Sequence, residues 1–179
     1  MKDDLYIAYH DEEWGAPVTH REKLFEMLIL ESMQAGLSWH TVLKKREAMR
    51  EAFQQFSVEK LAKLTDTDID KLLSNDKIIR NVLKIRAVRK NAQAFLRIEE
   101  RENSVDYFWQ FTKGQTIHNK WQQLSEVPAI TPQSILMAAQ LKKDGFAFMG
   151  PTTCYAFMQG VGIVNDHIES CFRWKQLTQ

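Results

Sequence analysis

The chain has 179 residues, 44% hydrophobic and 26% charged, with a formal net charge of +1. A soluble domain of this size buries about 70% of its unfolded surface and needs no disulfide staples, so the two cysteines, Cys154 and Cys171, exclude a disulfide scaffold and suit a reducing setting. No apolar run is long enough to cross a membrane, and the start MKDDLYIAYH lacks the apolar stretch of a signal peptide, so a cytoplasmic protein is expected.

Helical spacing is common along the chain and strict alternation is absent. The expected fold class is therefore all-α, one compact unit with two lobes, the N- and C-terminal segments sharing one of them. Leu24, Phe25, Leu28 and Ile29 form an apolar stripe on the first long helix. Ser38 is a candidate cap for the next, with Val42, Leu43, Met49 and Phe53 inside. Ser57 and Thr67 precede two short helical stretches. A longer helix is predicted from about Asn81 to Ile98, burying Ile85, Val88, Ala92 and Phe95. Thr131 followed by Pro132 is a helix start, and Gly145, after Lys142 and Lys143, is its expected end. Pro151 opens another helix, with Gly160 and Gly162 near its end. Phe146, Phe148, Tyr155 and Phe157 read by default as core.

Three stretches carry chemistry. In LESMQAGLSW, Glu31 continues the helical face of Leu24 and Leu28. A carboxylate on a core-facing stripe is costly unless it meets a partner. Beside Trp39 and nearby tyrosines it would suit a flat, cationic ligand, held by stacking, cation–π attraction and accepted N–H groups; the plainer alternative is that the helix has turned and Glu31 is exposed. From Lys77 to Ile98 there are seven basic residues (Lys77, Arg80, Lys84, Arg86, Arg89, Lys90, Arg97) and no acid. They form either a solvated helix face or, with a tight turn before the helix, a phosphate grip. In NDHIESC, His167 and Cys171 are four apart, which on a helix gives two metal ligands on one face. His10, in YHDEEWG, becomes a third ligand if the termini meet, and a tetrahedral site wants a fourth. Cys154 sits in an apolar stretch and reads as a small buried residue. His20, His40 and His118 have no helpful neighbours.

These stretches converge on a family. YIAYHDEEWGAP, KLFEMLILESMQAGLSWHTVLKKRE, DKIIRNVLKIRAVRKNA and LKKDGFAFMGPTTCYAFMQGVGIVNDHIESC stand in the order and spacing of the DNA-3-methyladenine glycosylase I family, and the chain resembles that family from Leu5 to Cys171. The resemblance implies a two-lobed helix-hairpin-helix DNA glycosylase fold. It implies a base-excision repair enzyme, a hydrolase that flips 3-methyladenine out of double-stranded alkylated DNA and releases the base by cutting its N-glycosidic bond. Glu31 matches the glutamate that binds the methylated base, Tyr9 the tyrosine that hydrogen-bonds to it and Trp39 the tryptophan that stacks on it. Tyr6 and Trp14 match nearby aromatics. Gln34, Gly36 and Leu37 match the loop that enters the gap left in the DNA stack. Lys77, Arg80 and Lys84 lie in the segment matching the phosphate-gripping hairpin, and Lys77 stands where many members have glycine.

The family also implies a structural zinc ion tying the termini together, with His10, His167 and Cys171 as three of its ligands, and no organic cofactor. Its fourth ligand, a cysteine upstream of the matching start, is absent from this chain, as is an aromatic residue that follows it. The zinc would then be weak, completed by water or another group, or absent. The alternative function is a non-catalytic alkylated-DNA binding protein of the same fold. A monomer in the bacterial cytoplasm, with no membrane partner, is expected in either case.

Overall fold

The computed structural model describes residues 4–179. A short helix α1 (Asp4–Ala8) runs straight into a π-helical turn, Tyr9–Glu13. Such turns are rare and recur at functional sites; this one turns Tyr9 inward, buried, and leaves His10 half-exposed.

Helix α2 (Arg21–Gln34) is the centre of the fold. Every residue from Leu24 to Met33 is buried, because further helices cover it on several sides. The predicted stripe is thus the inner part of a helix without a solvent face. The chain then turns at Gly36, whose φ of +75° suits a residue without Cβ. Ser38 caps α3 (Trp39–Ala52), accepting the Thr41 N–H at 3.2 Å, and Val42, Leu43, Met49 and Phe53 are buried as expected.

Helices α4 (Val58–Ala62) and α5 (Asp66–Ser74) both lie on α6 (Val82–Glu99). The cap of α5 is Thr65, not Thr67. Asp68 closes a capping box with Thr65, which pulls the helix start upstream and places Thr67 inside it. Asn81 caps α6, and Ile85, Val88, Ala92 and Phe95 are buried. Helix α7 (Ser104–Trp109) was not legible, being too short to show a period. A two-residue strand β1 (Ile117–His118) follows.

Thr131 and Ser134 form the capping box of α8 (Pro132–Lys143), which ends before Gly145 at φ +94°. Pro151 opens α9 (Pro151–Gly160). Phe146, Tyr155 and Phe157 are core; Phe148 is half-buried and held at φ +59°. Strand β2 (Val164–Asn165) pairs in parallel with β1, a small exception to the all-α expectation, and α10 (Phe172–Leu177) follows.

The N- and C-terminal parts of the chain do meet. The Gly15 N–H donates to the Gln159 carbonyl at 3.0 Å and the Val18 N–H to the Val161 carbonyl at 2.9 Å. Gly162, at φ +72°, is required here: a Cβ would lie 2.4 Å from the Ala16 carbonyl carbon. The buried apolar side chains, from Tyr9 to Val164, form one continuous cluster. Among the described residues no helix is long and apolar enough to cross a membrane.

Candidate functional site

A cavity of about 530 Å³ opens between α2, α3, α9 and the two terminal segments. Tyr9, Glu31 and Trp39 all face it, with Tyr6 and Trp14 on its wall. Glu31 lies one turn beyond Leu28 on α2 and is buried, 3% exposed, so the alternative of an exposed Glu31 fails. Its Oε2 has no hydrogen-bond partner, and neither has the Trp39 indole N–H. Buried polar atoms are seldom left unpaired. Two on one apolar wall are what an absent polar ligand would satisfy.

Burial pushes the Glu31 carboxyl up to about 8, which favours its neutral form at neutral pH. Burial and the neighbouring Glu31 also raise the Tyr9 phenol well above its ordinary range, which keeps its proton available for donation. The Tyr9 and Trp39 rings tilt against each other with centroids 5.2 Å apart. Tyr6 is 46% exposed at the mouth, its ring edge-on to His40 at 6.5 Å. Gly160 packs behind Tyr9 and Glu31, where a Cβ would first meet Met27 Cε at 3.0 Å. It would also approach the Tyr9 hydroxyl at 3.3 Å and Glu31 Oε1 at 3.4 Å.

On the wall of the same cavity His10, His167 and Cys171 converge, their ligand atoms all within 4.8 Å of one another. The expectation that His167 and Cys171 share a helix face is wrong. They are joined by a turn closed by the Cys171 N–H on the Ile168 carbonyl at 2.8 Å, which brings Sγ and Nδ1 to 3.6 Å. His10 Nε2 lies 3.7 Å from the same sulfur. A tetrahedral zinc with Zn–S of about 2.3 Å and Zn–N of about 2.1 Å holds S and N about 3.6 Å apart. The outer ring nitrogens are also engaged: His10 Nδ1 with the Asp11 carboxylate at 2.7 Å, His167 Nε2 with the Trp14 carbonyl at 2.9 Å. That leaves the inner nitrogens to ligate, the usual outer-shell arrangement of metal-bound histidine. These three residues fit a zinc ion. Trp14 lines the cavity with them, its ring edge-on to His167 at 4.5 Å.

The segment carrying Tyr9 and His10 is anchored by charge. Arg46 of α3 donates to both Glu13 oxygens at 2.8 and 2.9 Å and to Glu26 at 2.9 Å, and Lys23 donates to Glu13 at 2.6 Å. Against the opposing effect of burial, the bonds from Arg46 and Lys23 hold the Glu13 carboxyl down at about 2. No local pattern in the sequence reveals this network.

The DNA-contact candidates divide. Gln34 is half-buried and lines the cavity, while Gly36 and Leu37 are exposed at the tip of the α2–α3 loop. Lys77 and Arg80 are exposed in the turn between α5 and α6. Lys84 is not on that surface. It is buried, and its ammonium donates to the Met33 carbonyl at 2.9 Å and the Ala35 carbonyl at 2.5 Å. It faces α2 because the first turn of α6 lies against that helix's end. Arg89 is likewise committed, to Asp66 at 2.9 Å and the Leu64 carbonyl at 2.9 Å. The sequence reading also missed Asp166. It is fully buried on the cavity wall and accepts from Asn119, Trp121, Tyr155 and Gln159 at 2.5–2.8 Å.

Comparison with known proteins agrees with this geometry. Residues 1–174 match the methyladenine glycosylase family. The DNA-3-methyladenine glycosylase of Haemophilus influenzae is 49% identical over 171 residues, 95% of this chain and 92% of that protein. A crystal structure of 3-methyladenine DNA glycosylase I superposes with a TM-score of 0.94 at 50% identity, covering 96% of this chain and 95% of the other. A variant of a 3-methyladenine DNA glycosylase I in complex with 3-methyladenine superposes at 0.93 with 35% identity, covering 96% and 93%.

Proposed function

Since the chain belongs to the methyladenine glycosylase family, we propose that it excises 3-methyladenine from alkylated double-stranded DNA by hydrolysing the N-glycosidic bond, as one step of base-excision repair. One observation carries this: the buried carboxylate of Glu31, with an unpartnered oxygen, beside an aromatic pair in a cavity of base-accommodating size.

The chemistry asks little of the protein. Methylation at N3 leaves positive charge on adenine, so the base departs without protonation. The enzyme must expose it, recognise it and admit water to C1′. Flipping costs a few kcal/mol, and less for a damaged base. Glu31 supplies recognition. Burial disfavours its charge, and an arriving cation restores it, so the pocket rewards a methylated base over neutral adenine. Trp39 stacks on the ring and Tyr9 donates to it. As the sugar becomes positively charged, the same carboxylate stabilises it. Asp166, the other carboxylate on the wall, is not available to activate water, since both oxygens are taken by donors.

Gln34, Gly36 and Leu37 enter the stack where the base leaves it. Lys77 and Arg80 contact phosphates. His10, His167 and Cys171 would hold a zinc ion, whose work would be structural, tying the Tyr9-bearing turn to the C-terminal segment. The protein acts as a monomer in the bacterial cytoplasm, without an organic cofactor.

The test is release of 3-methyladenine from methylated duplex DNA, followed by chromatography, with metal content measured on the same sample. Release is expected, with zinc close to one per chain. A folded protein that binds this DNA and releases nothing is a binding module instead.

A further inference from the structure

Two lysines reach across the same interface in opposite directions. Lys84 stands in the first turn of α6, just past the α5–α6 turn. Its buried ammonium donates to the carbonyls of Met33 and Ala35, at the C-terminal end of α2. Those carbonyls are among the last of the helix that carries Glu31, where the backbone lacks helical partners and a cation is favoured. Ala35 leads directly into Gly36 and Leu37. Lys45 stands on α3, the helix that begins with Trp39. Its ammonium donates back to the Asp76 and Lys77 carbonyls, in the α5–α6 turn, at 3.2 and 2.9 Å.

Each lysine therefore takes two backbone carbonyls of the other's partner segment. A backbone carbonyl pair fixes the path of the chain, which a bond between two side chains does not. Among the described residues, both ammonium groups bond to backbone carbonyls rather than to a carboxylate.

We propose that Lys45 and Lys84 are positioning residues that lock the phosphate-facing turn 75–80 to the loop 34–38, so that grip on the backbone sets where the loop enters the stack. This rests on the function proposed above. A phosphate bound at Lys77 or Arg80 then fixes the loop through Lys45 on one side and Lys84 on the other. Losing a clamp leaves the base cavity intact but lets the two DNA-facing segments shift relative to each other.

The experiment compares the parent with Lys45→Met, Lys84→Met and Lys45→Arg in three measurements. These are single-turnover release from methylated duplex DNA, quenching of tryptophan fluorescence by free 3-methyladenine, and the salt dependence of duplex binding. Each methionine variant should keep free-base affinity within about twofold while its release rate falls by about tenfold or more, since a displacement near 1 Å costs that much. Lys45→Arg retains the donors and should recover most of the rate. A phosphate contact would instead lower the salt slope by about one; an unchanged slope supports a clamp. Lys45 is half-buried and so less enclosed than Lys84, and Lys45→Met keeps the test open if Lys84→Met does not fold. An unaltered release rate in Lys45→Met, a parallel loss of free-base affinity, or a lowered slope overturns the proposal. Failure of the parent itself to release base counts against the function, not the clamp.

Discussion

Two buried carboxylates face the same cavity and are kept in opposite conditions. Asp166, on the C-terminal side, has both oxygens occupied, Oδ1 by Asn119 and Trp121, Oδ2 by Tyr155 and Gln159. Glu31, on α2, has an oxygen with no partner and an apolar surround that resists its charge. The first arrangement ties the segment around β1 to α9 and the strand β2, because a carboxylate with its lone pairs filled is content where it is. The second is costly until something cationic arrives. The same chemical group is a structural tie in one place and a recognition element in the other, and the difference lies in the donors supplied by the fold.

The comparison breaks most sharply under amide substitution. Glu31→Gln should lower single-turnover release by at least about 100-fold, the scale of removing one electrostatic contact to the transition state, while circular dichroism stays native. Full activity in that variant would mean the carboxylate is not the recognition element. Asp166→Asn should act on stability instead. An amide has a donor where the acid had an acceptor, so one or more of its four partners is left facing an N–H, at a cost of about 3 kcal/mol in urea unfolding. Wild-type stability there would show that the four bonds are replaceable.

A pH series sharpens the contrast. The folded Glu31 pKa, about 8, lies above its ordinary value. The stability linked to it is complete below the unfolded pKa near 4.5 and is lost as pH rises through that window to about 8. Glu31→Gln has no such loss, so at pH 7 it should be more stable than the parent by up to about 3 kcal/mol, and equal to it near pH 4. Equal unfolding curves at both pH values would show that the charge meets no penalty. The base-release rate of the parent should rise toward pH 8 as the carboxylate becomes available.

Smaller effects follow for the neighbours. Cys171→Ser should lower zinc content and melt the Tyr9-bearing turn at a lower temperature, by about 4–8 °C per kcal/mol lost for a smaller domain and about half that here; an unchanged melting temperature with full zinc would exclude Cys171 as a ligand. Gly160→Ala presses a methyl toward the Tyr9 hydroxyl and Glu31 at 3.3–3.4 Å and should weaken free-base binding by about threefold to tenfold, within the range of modest overpacking. Fluorescence titration measures it, and undiminished affinity would show that the packing there gives way freely.

Much of this was legible along the chain. The caps at Ser38 and Thr131, the helix start near Asn81, the stop before Gly145 and the placement of Glu31 behind Leu28 are local matters, decided by side chain-to-backbone bonds and spacing within a turn or two. The candidate pocket residues Tyr9, Glu31 and Trp39 lie together on one cavity, and His10, His167 and Cys171 lie together on its wall. Lys84 misled the reading because position in a basic run says nothing about which way a side chain faces. The His167–Cys171 pair has the spacing of a helix but the geometry of a turn, since four residues can close by either route.

Local sequence specified most of the longer helices, several of their caps and the residue types available for chemistry, because propensity, capping and periodicity act between neighbours. The remainder waited on tertiary packing. That packing determined that Glu31 is left unpaired while Asp166 is filled, that Arg46 anchors the turn bearing Tyr9, and that Lys45 and Lys84 cross between two segments. Those outcomes depend largely on groups brought from 20 to 51 residues away, and the folded chain alone brings such groups within hydrogen-bond reach.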